Sequence, residues 1–173
     1  SELERWNGGK IADLEDIVKI VAFVLNITKK RRGDDSHTLY LLRDCLMFYE
    51  SQKILDLVNS EGTSSDQIMV GRKLLTHKSR RWGYYIVTLE ALYTAHQRYP
   101  VSFTKFYKEY ARLMNLFVSL NPNFEKVVSE LANYIKNHIQ TDKKKVVVFD
   151  IGFQGSIALL TKYIIDYHIA PTR

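Results

Sequence analysis

The stretch Val146-Val147-Val148-Phe149-Asp150-Ile151-Gly152-Phe153-Gln154-Gly155-Ser156 constrains the fold more than any other part of the chain. Four apolar residues, mostly β-branched, run into an acid. A loop with two glycines follows, then apolar residues at helical spacing. A short apolar run bounded by turn residues, without polar alternation, suits a strand buried on both faces of a parallel sheet. The carboxyl end of such a strand delivers a polar loop and a helix N-terminus to one place. Open α/β sheets bind ligands at that edge, and helix N-termini attract phosphate and other anions.

Two other segments share this grammar. Thr38-Leu39-Tyr40-Leu41-Leu42 ends in Arg43-Asp44. Leu46, Met47, Tyr49, Ile54, Leu57 and Val58 then recur near helical spacing to about Asn59, with Asp44 placed to cap the helix. Ser60 to Asp66 has loop composition. Gln67-Ile68-Met69-Val70 reads as a second strand ending at Gly71-Arg72-Lys73. Strand–helix alternation favours parallel pairing, which sets the turns Arg43-Asp44, Arg72-Lys73 and Asp150 to Ser156 on a single edge.

The rest of the chain is helical in pattern. From about Lys10 to Lys30, Ile11, Leu14, Val18, Val21 and Leu25 recur at three- and four-residue steps, and Ile17, Ile20 and Val24 widen the apolar face. That breadth predicts a helix packed on several sides. Lys29-Lys30-Arg31-Arg32 and Gly33 suit its last turn and stop. Three patterns fill the span from Arg72 to Lys145: one from about Trp82 to Gln97, one through Phe103, Phe106, Tyr110, Leu113 and Phe117, and one through Phe124, Val127, Leu131, Tyr134 and Ile135. Pro100 and Asn121-Pro122 separate them. One crossover helix needs far fewer residues, so residues 82–140 read as a helical insertion, able to pack on the sheet or to cover a site as a lid. Ile157, Leu160, Ile164 and Ile165 mark a closing helix to about His168. The expected fold is one α/β domain over residues 1–173, with a small parallel sheet, a long N-terminal helix and a three-helix insertion. The chain stops soon after the closing helix, which leaves room for a partner domain in a longer protein.

Composition narrows the partners. The formal charge of +6 favours anions, with nucleotides, sugar phosphates and RNA all open. Eleven tyrosines and eight phenylalanines supply large rings for helix packing. The single cysteine, Cys45, excludes an internal disulfide, fits a reducing compartment and reads as a small buried hydrophobe. No apolar run reaches the length of a membrane span and nothing near Ser1 resembles a signal peptide, so a cytoplasmic protein without membrane contact is the expectation. The five histidines, at 37, 77, 96, 138 and 168, show no metal spacing. His96 and His138 lie in helical patterns among large apolar residues, where structural roles are expected. Neither a nucleophile elbow nor a P-loop is present. Thr76-His77-Lys78-Ser79-Arg80-Arg81-Trp82 is the densest basic patch, suited to nucleic-acid phosphates with Trp82 stacking on a base, or to extending an anion site.

The shared edge would hold Arg43, Arg72, Lys73, Asp44, Asp150, the Ser156 hydroxyl and backbone amides. Arginine makes forked contacts with phosphate or carboxylate oxygens. Amides around Gly152, Gln154 and Gly155 could cradle an anion, because glycine permits close approach. An aspartate in such company can hold Mg²⁺ or a sugar hydroxyl.

Together, Leu41-Leu42-Arg43-Asp44, Val70-Gly71-Arg72 and Asp150-Ile151-Gly152-Phe153-Gln154-Gly155-Ser156 resemble a poorly characterised microbial domain found with haloacid-dehalogenase-type hydrolases. Its strands end in S-R-D-G, S-R and D-I-G-W-x-G-S/T. Here Leu42, Cys45, Gly71 and Phe153 replace its Ser, Gly, Ser and Trp. The third turn is also similar to the phosphate loop of phosphoribosyltransferases. That resemblance implies a Rossmann-like or phosphoribosyltransferase-like sheet, phosphate held at Gly155 and Ser156, and Asp150 near ribose hydroxyls; Ile151 stands where that family has a second acid. Val147 to Ile151 also resembles the nucleophile strand of haloacid-dehalogenase phosphatases. Gly152 occupies the place of their acid/base aspartate, which makes this the weakest of the three likenesses.

The first functional expectation is a phosphoribosyltransferase-like protein binding a nucleotide or sugar phosphate, with Asp150 and Asp44 as the catalytic candidates. These residues support binding and do not by themselves specify turnover. The second is a non-catalytic basic module for nucleic acid or an acidic protein.

Overall fold

The computed structural model describes residues 14–30, 35–42, 45–59, 62–70, 102–140, 142–151 and 155–170. In chain order these form α1 (Leu14–Lys30), β1 (Ser36–Leu42), α2 (Leu46–Asn59), β2 (Ser65–Met69), α3 (Phe103–Leu120), α4 (Pro122–Lys136), β3 (Lys145–Phe149) and α5 (Ser156–Ile164). A π-helical turn, Ile165–Ile169, prolongs α5.

The strands form a parallel sheet in the order β2-β1-β3. β1 is central, and its residues 37–41 are all buried, which explains why the sequence there is apolar without alternation. Its side chains still divide by parity. Leu39 and Leu41, with Ile68 and Val70, enter a core shared with Tyr110 and Met114 of α3, Val128, Leu131 and Ile135 of α4, and Leu160 and Ile164 of α5. On the other face Tyr40 meets Tyr49 of α2 and Phe149 of β3, with ring centroids 5.7 and 5.2 Å apart. The domain is thus a sheet between two helical layers, and α3 and α4 lie on a sheet face. The pattern at 82–97 falls outside the described residues.

Local chemistry sets the helix ends. Ser102 caps α3 by accepting from the Lys105 amide at 3.3 Å. Asn121 ends α3 and precedes α4, with Pro122 in the first turn, where a missing N–H is harmless. Tyr107 of α3 donates its hydroxyl to Asp166 of the π turn at 2.6 Å, and the Lys162 ammonium meets the same carboxylate oxygen at 2.8 Å. Tyr163 donates to Asn115 at 2.7 Å. These bonds dock the closing helix on α3.

α1 departs from expectation. Val24 is buried, and Phe23 packs on Phe48 of α2 at 5.8 Å, but Val18 and Leu25 are exposed. The predicted packing on several sides does not hold among the described residues. Periodicity gives the breadth of an apolar face but not the number of neighbours that arrive to cover it.

β2 lies at an edge of the sheet, and two of its amides are occupied by side chains. Gln67 N–H donates to the Asp66 carboxylate at 2.7 Å, and Met69 N–H to the Tyr134 hydroxyl of α4 at 3.0 Å. Occupied amides blunt an edge against pairing with another chain.

The amino ends of the strands meet in a polar cluster. His37 of β1 shares the parity of Leu39 and is buried. Its Nε2–H donates to the His138 carbonyl at 2.7 Å, and its Nδ1 lies 2.6 Å from Ser64 Oγ. Ser64 Oγ is also 2.6 Å from Gln140 Oε1, and His138 Nδ1–H donates to Asp66 at 2.8 Å. His138 was expected in a helix among large apolar residues; it instead lies past the end of α4, in a turn, with its ring on Asp66.

Two expectations follow from these contacts. The hydroxyl of Tyr110 is buried without a partner among the described residues, while that of Tyr134 caps β2. Tyr110→Phe should leave stability unchanged or raise it by up to about 1 kcal/mol, whereas Tyr134→Phe should lower it by about 0.5–1.5 kcal/mol; urea unfolding of both variants measures the opposite signs. Burial holds the His37 pKa below its ordinary 6.5, as it also lowers that of His168. The unfolded chain then takes up protons first, so stability should be level above pH 6.5 and fall as pH drops through the folded-state midpoint. Unfolding free energies from pH 8 to 5 (about that range) should show this fall, and His37→Gln should make it shallower.

Candidate functional site

The sheet register decides where the loops leave. Leu42 pairs with Met69, and Tyr40 with Phe149. Because all strands run the same way, β1, β2 and β3 end on one edge within about two residues of each other in height. The β1 and β3 exits also touch: the Cys45 thiol donates to the Phe149 carbonyl at 3.5 Å. Cys45 is fully buried. The expected small buried hydrophobe therefore also joins two loops of the candidate site.

Beyond this edge β3 leads to Asp150, which is half-buried. The chain re-enters at Gly155 with φ 66° and ψ 9°, in the left-handed region where a Cβ is disfavoured. That conformation turns the backbone into α5, whose first regular bond runs from the Leu159 amide to the Gly155 carbonyl at 2.9 Å. Among the described residues no side chain caps α5, and its first turn contains no acid. The N-terminal end of α5 therefore keeps the partial positive character of its leading amides, unopposed by a carboxylate of its own turn. Beside the edge, Phe149 packs against Phe48 at 5.2 Å and Phe23 at 6.0 Å, forming a ring cluster with Tyr40 and Tyr49.

Of the residues singled out from sequence, Asp150, Gly155 and the backbone of Ser156 are described, and they follow β3 in the order expected. Arg43, Asp44, Arg72, Lys73, Gly152 and Gln154 lie outside the described residues, as do His96 and the basic patch at 76–82. No group of three or more His, Cys, Asp or Glu side chains that could hold a metal ion occurs among the described residues. The cluster around His37 was not anticipated as a unit. The signal was present in its parity: a histidine in step with the inward Leu39 and Leu41 must be buried, and a buried imidazole requires partners.

Gly155→Ala tests the loop geometry. Forcing an alanine into the left-handed region should cost about 1–2 kcal/mol, read as a lower urea midpoint with an unchanged denaturant slope.

No protein-family model, curated protein or solved structure matches the chain.

Proposed function

We propose that the carboxyl edge of the sheet binds a phosphorylated small molecule, a nucleotide or a sugar phosphate, in the manner of a phosphoribosyltransferase-like domain. The observation that carries this reading is the path of the chain from β3 through Asp150 to the left-handed Gly155 and the uncapped start of α5. A phosphate at that point would receive the leading amides of the helix and its dipole, with no competing carboxylate in the first turn. Asp150 directly follows β3 and would serve as the acceptor for a ribose or hexose hydroxyl. In this role it could also share a Mg²⁺ ion with the phosphate. Arg43 directly follows β1 in sequence, and Arg72 and Lys73 follow β2 closely. These cations would neutralise the ligand's charge. The Cys45–Phe149 contact supports the same reading, because it brings the start of α2 against the end of β3. Asp44, next to Arg43, is the second acid proposed for any chemistry on the bound molecule. Its role depends on the ligand having a group that needs a proton moved.

Thermal shift against nucleoside monophosphates, phosphoribosyl pyrophosphate and sugar phosphates, with and without Mg²⁺, tests this reading. A ligand at a hundred times its dissociation constant should stabilise the fold by about 2.7 kcal/mol. Asp150→Ala should abolish most of that stabilisation, read as the loss of the ligand-induced shift relative to the variant's own unliganded midpoint. Stabilisation by none of these compounds would defeat the proposal. Steeply salt-dependent binding to many unrelated nucleic-acid sequences would instead identify a basic nucleic-acid module.

A further inference from the structure

We propose that His37, Ser64 and Gln140 form a proton latch at the amino edge of the sheet, in which one proton taken up by the imidazole reverses the hydrogen bonds along the chain and half-turns the Gln140 amide. The argument is a proton count. His37 Nε2 faces the His138 carbonyl at 2.7 Å, and a carbonyl only accepts, so Nε2 carries a proton in every state. Ser64 Oγ lies 2.6 Å from His37 Nδ1 and 2.6 Å from Gln140 Oε1. It has one proton to give, and two neighbours.

When His37 is neutral, Nδ1 is an acceptor and takes the Ser64 proton. The amide must then present its NH₂ to Ser64 Oγ. When His37 is charged, Nδ1–H donates to Ser64, and Ser64 donates onward to the amide oxygen. Both bonds of the Ser64 hydroxyl survive, and both point the other way. A half-turn exchanges the amide O and N at the same position, so both states fit one set of distances.

The chain joins the starts of all three strands. His37 lies in β1, Ser64 leads into β2, and Gln140 lies on the connection from α4 to β3. The charged groups around the imidazole come from the same elements. Asp66 of β2 and Asp142 favour the proton; Lys143, itself 3.8 Å from Asp35, opposes it; burial opposes it most. His138 faces the cluster with its ring paired to Asp66. The latch therefore ties the proton on His37 to the hydrogen bonds that join the three strand starts, at the edge of the sheet opposite Asp150.

Imidazole ¹H–¹⁵N spectra of the intact chain give the first test. The neutral His37 ring should carry its proton on Nε2; a neutral ring with the proton on Nδ1 overturns the latch. Gln140→Glu gives the second. A carboxylate at 140 can only accept, so it claims the Ser64 proton and obliges Nδ1 to carry one. The His37 midpoint should rise by at least about one pH unit, a tenfold change in proton affinity. Gln140 is exposed, so the substitution should leave the fold intact. In the Ser64→Ala background the same Gln140→Glu change should leave the midpoint nearly where Ser64→Ala alone puts it. An unmoved midpoint in Gln140→Glu overturns the proposal. So does a rise that persists without the Ser64 hydroxyl, since that is direct charge attraction rather than a relay.

Discussion

The central strand must satisfy hydrogen bonds on two edges and packing on two faces at once. β1 pairs with β2 through Thr38 to Leu42 and with β3 through Ser36 to Tyr40. It also divides the core by parity, giving Leu39 and Leu41 to the α3–α4–α5 layer and Tyr40 to the aromatic layer beneath α2. Both ends of the sheet inherit their geometry from this strand. At one end its exit touches β3 through Cys45; at the other its buried imidazole gathers the lead-ins of β2 and β3.

The two edges differ in chemistry because they differ in backbone direction. At the carboxyl edge the strands release loops, and α5 begins there with its amides leading. At the amino edge the strands begin, and side chains from three segments bond to one another. Ligand binding is proposed for the first and internal proton traffic for the second. The division follows from parallel pairing: an antiparallel strand would have exchanged its exit for an entry and split the set of loops.

Much of this was legible in the residues. The apolar runs at 38–42 and 146–149 marked strands, but burial on both faces explains only the first: β3 is an outer strand among the described residues, and its residues 146–149 are partly buried. Asn121-Pro122 marked a helix boundary because proline lacks the amide an interior position needs. The parallel sheet followed from strand–helix alternation. β2 begins at Ser65, earlier than its apolar stretch suggests, because Ser65 and Asp66 pair with Thr38 and Leu39 through backbone alone. The exposure of Val18 and Leu25 was not legible, since a helix's own sequence does not state what will cover it. Nor was the cluster of His37, Ser64 and Gln140, whose members are far apart in sequence and meet only once the sheet has formed. At the candidate site the loop after β3 could be read from Asp150 and Gly155, whereas the Cys45 link depends on a register no single segment encodes.

The π turn at Ile165–Ile169 also affects how the end of the domain could be redesigned. A π turn accommodates one residue more than the α-helical turn it replaces, so side chains before and after it belong to different helical phases. A plan that extended the α-helical pattern of Ser156–Ile164 through this segment would misplace each later side chain by roughly 100° around the axis. Asp166 lies within this turn and meets Tyr107 and Lys162 there. Grafting or shortening the C-terminal helix therefore has to carry the wide turn as a unit.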